Sequence, residues 1–203
     1  MKNSIQNPHE VQKPDTGDSK TFVACILFFT MACTILLSLY GCEDEIGSGN
    51  APNKWAVKYK ISGGETAITV DNSKELFRSD VWMSGIHIIG ITDHKNKVSH
   101  SYTSLEGVWK TVAYTSTGSD QYTFKESDGT KVEKLADRTV AGKTCKSYKY
   151  THKNGNEFIV ATWKGIMMYQ EDVNTGSKME ATSATVDVPA SAFSQESIEV
   201  TWL

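Results

Sequence analysis

Four cysteines, five histidines and a few close carboxylate pairs are the residues that could do covalent, metal or acid–base chemistry in this chain of 203 residues. Cys145 and His152 invite a nucleophile–base reading. They are an odd number of residues apart on one expected strand, so their side chains leave opposite faces and cannot meet there. Cys145 therefore reads as a small buried core residue. His87, His94 and His100 invite a metal reading, but structural zinc ligands pair about two to five residues apart, closer than these. They read as three separate surface or strand histidines, and no metal or other cofactor is expected. Glu171-Asp172 and the Glu126/Asp128 pair read as turn and surface acids, because glycoside hydrolysis needs two carboxylates converging across a cleft. The sequence has no Gly-rich phosphate loop, G-x-S-x-G or H-E-x-x-H. The expectation is a protein that is not an enzyme, with a hydrolase of unrecognised site as the third-ranked alternative.

The apolar side chains offer a different chemistry. Trp55, Trp82, Trp109, Trp163, Met167, Met168 and Met179 could line an apolar concavity, since methionine adapts to irregular apolar ligands. With Trp202 they could equally fill the core of one sheet. Both readings stand at this level.

Cys42 is set apart by what precedes it. Thr21–Tyr40 is uncharged and mostly apolar, and about 20 such residues can cross a bilayer. It reads either as a retained transmembrane helix or as the apolar region of an export signal. The ending Leu39-Tyr40-Gly41-Cys42 resembles the lipobox of bacterial lipoproteins. That resemblance implies cleavage at the Gly41–Cys42 bond and lipidation of Cys42. One acyl chain binds a membrane only marginally, so a cysteine carrying several chains makes a stable anchor without a spanning helix. Met1–Lys20 is polar and aperiodic and is expected to be disordered or absent from the mature protein. Residues 42–53 hold the lipidated cysteine and a Gly/Ser/Asn/Pro tether.

Residues 54–203 suffice for one domain with a real core. After Cys42, 18 Lys and Arg face 21 Asp and Glu without a basic stripe, which argues against nucleic acid as a partner. Cys145 is the one cysteine beyond Cys42, so no internal disulfide is expected there.

From Lys54 the hydrophobic period becomes two: Trp55, Val57, Tyr59 and Ile61 alternate with Lys54, Ala56, Lys58 and Lys60. Further strands are expected at 65–70, 75–83, 86–92, 98–103, 108–115, 122–126, 145–152, 157–163, 166–172 and 178–188. Turn signals separate them, among them Asn154-Gly155 and Asn174-Thr175-Gly176. Ile198–Trp202 is expected to close the sheet, and Thr130–Ala136 and Pro189–Phe193 to form short helices. The expected fold is mainly β: a single curved antiparallel sheet, or half-barrel, with one or two short helices, preceded by the N-terminal signal or transmembrane helix.

Thr139-Val140-Ala141-Gly142-Lys143-Thr144-Cys145-Lys146-Ser147-Tyr148 resembles a segment of secreted bacterial proteins with the lipoprotein-carrier (LolA-like) half-barrel. Trp163–Met168, Met179–Thr182 and Val188–Phe193 follow in the same order, so the resemblance covers about residues 139–193. It implies a sheet whose concave face can hold an apolar ligand such as an acyl chain. The combined expectation is an envelope lipoprotein of a Gram-negative bacterium, anchored through Cys42 in the outer membrane on its periplasmic or surface side. Its expected role is non-catalytic binding of an amphiphilic or hydrophobic ligand. The alternative is a structural or protein-interaction module that meets another envelope protein.

Overall fold

The computed structural model describes residues 51–113 and 131–203. The expected strand at 122–126, the polar leader, the apolar stretch with Cys42 and most of the tether lie outside the described residues.

Among the described residues, eleven strands form one antiparallel sheet: β1 (Lys54–Ile61), β2 (Gly64–Asp71), β3 (Leu76–Met83), β4 (Ile86–Asp93), β5 (Val98–Thr103), β6 (Trp109–Ala113), β7 (Lys131–Val140), β8 (Lys143–Thr151), β9 (Glu157–Trp163), β10 (Ile166–Asp172) and β11 (Lys178–Thr185). The spatial order is β6-β5-β4-β3-β2-β1-β11-β10-β9-β8-β7. Two meanders thus join through the β1–β11 pair, and among the described residues β6 and β7 are the margins of a sheet that does not close into a barrel. Tight turns set this order. Ser84-Gly85, Ala141-Gly142 and Lys164-Gly165 each place two successive residues at positive φ, the twist that two-residue hairpins require. At Gly64 a Cβ would sit 2.1 Å from the Trp82 carbonyl oxygen, so β2 and β3 pair there only because the side chain is absent.

Two expectations are corrected. Residues 131–136, expected as a helix, belong to β7 and pair with β8 from Lys131↔Thr151 onward. Val132 and Leu135 are half-buried and the other four are exposed, so it is the ladder to β8, and not a burial period, that makes them a strand. Residues 198–202, expected as a closing strand, form none. The chain instead turns through a short 3-10 segment, Ala190–Phe193, and lies over one face of β1–β3.

The register puts Trp55, Val57 and Tyr59 of β1 on the same face as Ile68 and Val70 of β2 and Phe77 of β3. These belong to one buried cluster with Val160, Met167, Met168, Tyr169 and Ala181. Buried Tyr59 donates its phenolic hydrogen across the cluster to the Met167 carbonyl at 2.7 Å, and burial pushes its pKa upward. Bulges interrupt the register of the second meander at Met167/Tyr169 and Leu135/Arg138, whereas the ladders from β1 to β6 run without one. The Arg138 guanidinium on β7 lies 4.2 Å from the Tyr169 ring on β10. Three strand spacings in a flat sheet are about 14 Å, so the sheet rolls at this margin and the long arginine spans the rest.

Candidate functional site

On the face opposite the main cluster, Arg78 and Asp80 alternate along β3 with a register that points both the same way. Both are fully buried. Arg78 Nε and Nη2 donate to the two Asp80 carboxylate oxygens at 2.7 and 2.8 Å. Its Nη1 donates to the carbonyls of Ala192 and Ser197 at 2.9 and 2.6 Å. The Trp202 ring lies 5.0 Å from the guanidinium carbon, and the Trp202 indole nitrogen donates to Thr69 Oγ1 at 3.1 Å. A guanidinium buried this deeply is tolerated because the carboxylate takes its charge and two backbone carbonyls take the hydrogens of Nη1. The C-terminal segment is the partner that provides those carbonyls, and its Val188 and Ala192 pack with Ala56.

Asp80 also meets the next strand. His87 Nε2 lies 3.0 Å from Asp80 Oδ1, so that nitrogen carries the shared hydrogen. The imidazole stacks on Trp82 at 4.6 Å between centroids, and the Lys58 ammonium lies 5.1 Å from the centre of the same indole. Beside this stack an open cleft of about 260 Å³ is lined by Gly63, Gly64, Glu65, Trp82, Met83, Ser84, Gly85, Ile86 and His87. The carboxylate that would orient His87 as a base is already held bidentately by Arg78. No serine or cysteine is hydrogen-bonded to the imidazole among the described residues. The arrangement locks β3, β4 and the C-terminal segment together.

The structure scatters the aromatic and methionine set. Trp55, Met167 and Met168 lie inside the buried cluster, Met168 with no exposed surface. Met179 and Trp163 pack against that cluster from its rim. Trp163 sits beneath two ammonium groups, Lys143 at 4.9 Å and Lys164 at 5.1 Å. Trp82 is in the His87 stack, and Trp109 touches Tyr102 at the β5–β6 margin. The three histidines are apart: His87 on Asp80, His100 on Thr111 at 2.8 Å, and His94 in the β4–β5 turn. Cys145 is fully buried, and burial pushes its thiol pKa up.

Sequence reasoning missed Arg78–Asp80–His87. An Arg-x-Asp pair on a strand between two apolar neighbours was the available signal, since two opposite charges on one face of a core strand need each other. It also missed the apolar exposure beside β6. Leu105, Val108 and Val112 are 67%, 55% and 61% exposed, at one margin of the sheet.

No protein-family model matches the sequence, and no curated protein does. Among solved structures, a chain of the Pseudomonas aeruginosa MucA/MucB complex is similar over 84% of this chain and 60% of its own length, at 11% identity and TM-score 0.48. An uncharacterized conserved protein from Thermus thermophilus covers 79% of this chain and 91% of its own, at 7% identity and TM-score 0.47. A putative outer membrane lipoprotein-sorting protein domain from Vibrio parahaemolyticus covers 72% and 91%, at 8% identity and TM-score 0.30. In a further structure, of MucB in complex with MucA(peri), the chain spans only 54% of the matched chain. None of these likenesses extends to function.

Proposed function

We propose that this chain is an envelope lipoprotein, attached to the outer membrane of a Gram-negative bacterium through Cys42, whose β domain is a non-catalytic protein-interaction module. The observation that carries the reading is the contrast in how apolar side chains are used. Trp55, Met167 and Met168 are spent on the packed cluster, whereas Leu105, Val108 and Val112 stand in solvent beside β6. Exposed apolar side chains grouped along a sheet margin mark a contact surface more often than scattered ones do. A photo-crosslinking residue at Val112 in intact cells tests this. It is expected to capture one discrete protein, and Leu105→Glu together with Val108→Glu is expected to abolish the capture. A lipid adduct alone, or capture unaffected by those changes, would contradict it.

A second reading keeps an amphiphilic ligand, now at the cleft beside Trp82, Met83 and Ile86, which combines apolar side chains with Glu65 and His87. At about 260 Å³ it is just below the usual range of small-molecule sites. Native mass spectrometry of gently extracted protein decides it: a retained lipid lost on Trp82→Ala supports the ligand, and bare protein removes it.

A further inference from the structure

The sheet has two ends of different charge. At one, the turns are 72–75, 94–97, 141–142 and 164–165; at the other, they are 62–63, 84–85, 104–108, 152–156 and 173–177. The first set contains Lys74, Lys95, Lys97 and Lys164, all exposed, against Glu75; Asp71, paired with Lys54, and Asp93 end the strands that run into two of these turns. The second contains Lys153 against Glu106. The turns holding Lys74 and Lys95 are continuous, since the His94 amide donates to the Glu75 carbonyl at 3.0 Å. Lys143, at the start of β8, adds one further cation and lies with Lys164 around Trp163 at the same end, and exposed Asp187 is an acid following β11 there.

The chain enters the domain at this basic end. The Asn72 amide donates to the Asn53 carbonyl at 2.7 Å, so the tether leaves beside the Lys74 turn. Residues 43–53 separate Cys42 from β1. A flexible linker of that length has a mean span of about 18 Å. Whichever way residues 21–41 meet the bilayer, the lysine turns are kept within a few Debye lengths of its surface, about 8 Å each at physiological salt. A tethered surface of matching charge needs little intrinsic affinity, because the link sets a high local concentration. Lysines attract anionic headgroups, and an indole flanked by cations is suited to the headgroup layer.

We propose that the end of the sheet carrying Lys74, Lys95, Lys97, Lys143, Lys164 and Trp163 rests on an anionic phospholipid surface. That orientation turns the Leu105/Val108 loop, at the opposite end, away from the membrane. The inference rests on the anchored reading above and names the surface that the anchored domain meets.

The test is amide hydrogen exchange on the full chain in nanodiscs of phosphatidylglycerol and phosphatidylethanolamine, compared with pure phosphatidylcholine. Exchange at residues 72–75 and 94–97 is expected to slow by about threefold or more on the anionic discs, and the slowing to vanish at high salt. The combined change Lys74→Gln, Lys95→Gln and Lys97→Gln is expected to remove the effect, whereas Lys153→Gln leaves it. Inorganic phosphate at matched concentration is expected to do nothing; if it reproduces the slowing, the partner is not a membrane. Protein that co-migrates with both kinds of disc but exchanges equally on them overturns the inference and leaves anchoring intact. Protein that co-migrates with anionic discs alone removes the anchor and keeps the basic surface.

Discussion

The two meanders of this sheet share one apolar cluster, but they use charge differently. The first buries a charge pair: Arg78 and Asp80 lie between β3 and the C-terminal segment, bonded to each other and to two carbonyls of that segment. The second keeps its ion pairs on the outside, Lys146–Asp137, Lys149–Glu157 and Lys178–Glu171, and buries Cys145, Met167, Met168 and Tyr169. The difference is one of purpose. Apolar packing gains free energy from any well-filled arrangement, but a guanidinium with fixed donor directions accepts only one. The first meander thus uses a costly polar group to specify where residues 190–203 lie, and the second uses soft side chains to fill a strongly rolled sheet.

Breaking the polar device should give the largest effect. Arg78→Met leaves the buried Asp80 carboxylate with His87 but without its guanidinium partner, and is expected to lower the unfolding free energy by about 3–5 kcal/mol, read from urea melts. Adding Asp80→Leu should restore much of that loss. It should also leave amides near residues 192–202 exchanging faster than in the parent, because packing replaces the stability but not the direction of the bonds. If the double variant holds the segment as tightly as the parent, the contrast between the meanders fails.

Met168→Ala tests the other side. It opens a cavity in the main cluster, and the expected cost is about 2–4 kcal/mol, with no change in exchange near the C-terminus. Loss of protection there would show that the two faces are one cooperative unit and not two devices.

A smaller, pH-dependent effect is expected at the rolled margin. Tyr169 donates its hydroxyl hydrogen to Glu171 at 2.6 Å, and that bond, with Lys178 and Arg138 nearby, holds the Glu171 carboxyl below its ordinary range. A carboxyl depressed in the folded chain adds stability that is complete above the unfolded value, about 4.3, and is lost as pH falls through the folded one. Tyr169→Phe should therefore be less stable than the parent near neutrality and lose less on acidification. The two curves should converge in strong acid. Parallel curves would mean that the hydroxyl contributes nothing to the ionised carboxylate.

Much of the sheet was legible because its signals are local. Alternation from Trp55 to Ile61 and the Gly-bearing turns fix strands without long-range information, and β5, β9 and β10 fall at the expected residues. The misses are non-local. Residues 131–136 carry charge without a period, and only pairing with β8 makes them a strand. Residues 198–202 have an apolar rhythm that fits a strand, yet Trp202 is claimed by Thr69 and Arg78, more than a hundred positions earlier. The candidate site shows the same limit. Composition identified the Trp and Met side chains, but which of them are interior depends on bulges such as that at Met167/Tyr169, which reassign faces within one strand.

The intact mass of the protein extracted from cell membranes bears most directly on an envelope-anchored module. The expected mass is that of residues 42–203 plus a glyceryl group and acyl chains, with the additions lost in Cys42→Ala. An unmodified chain of 22.4 kDa in the same membranes would contradict the anchor and the proposed function with it.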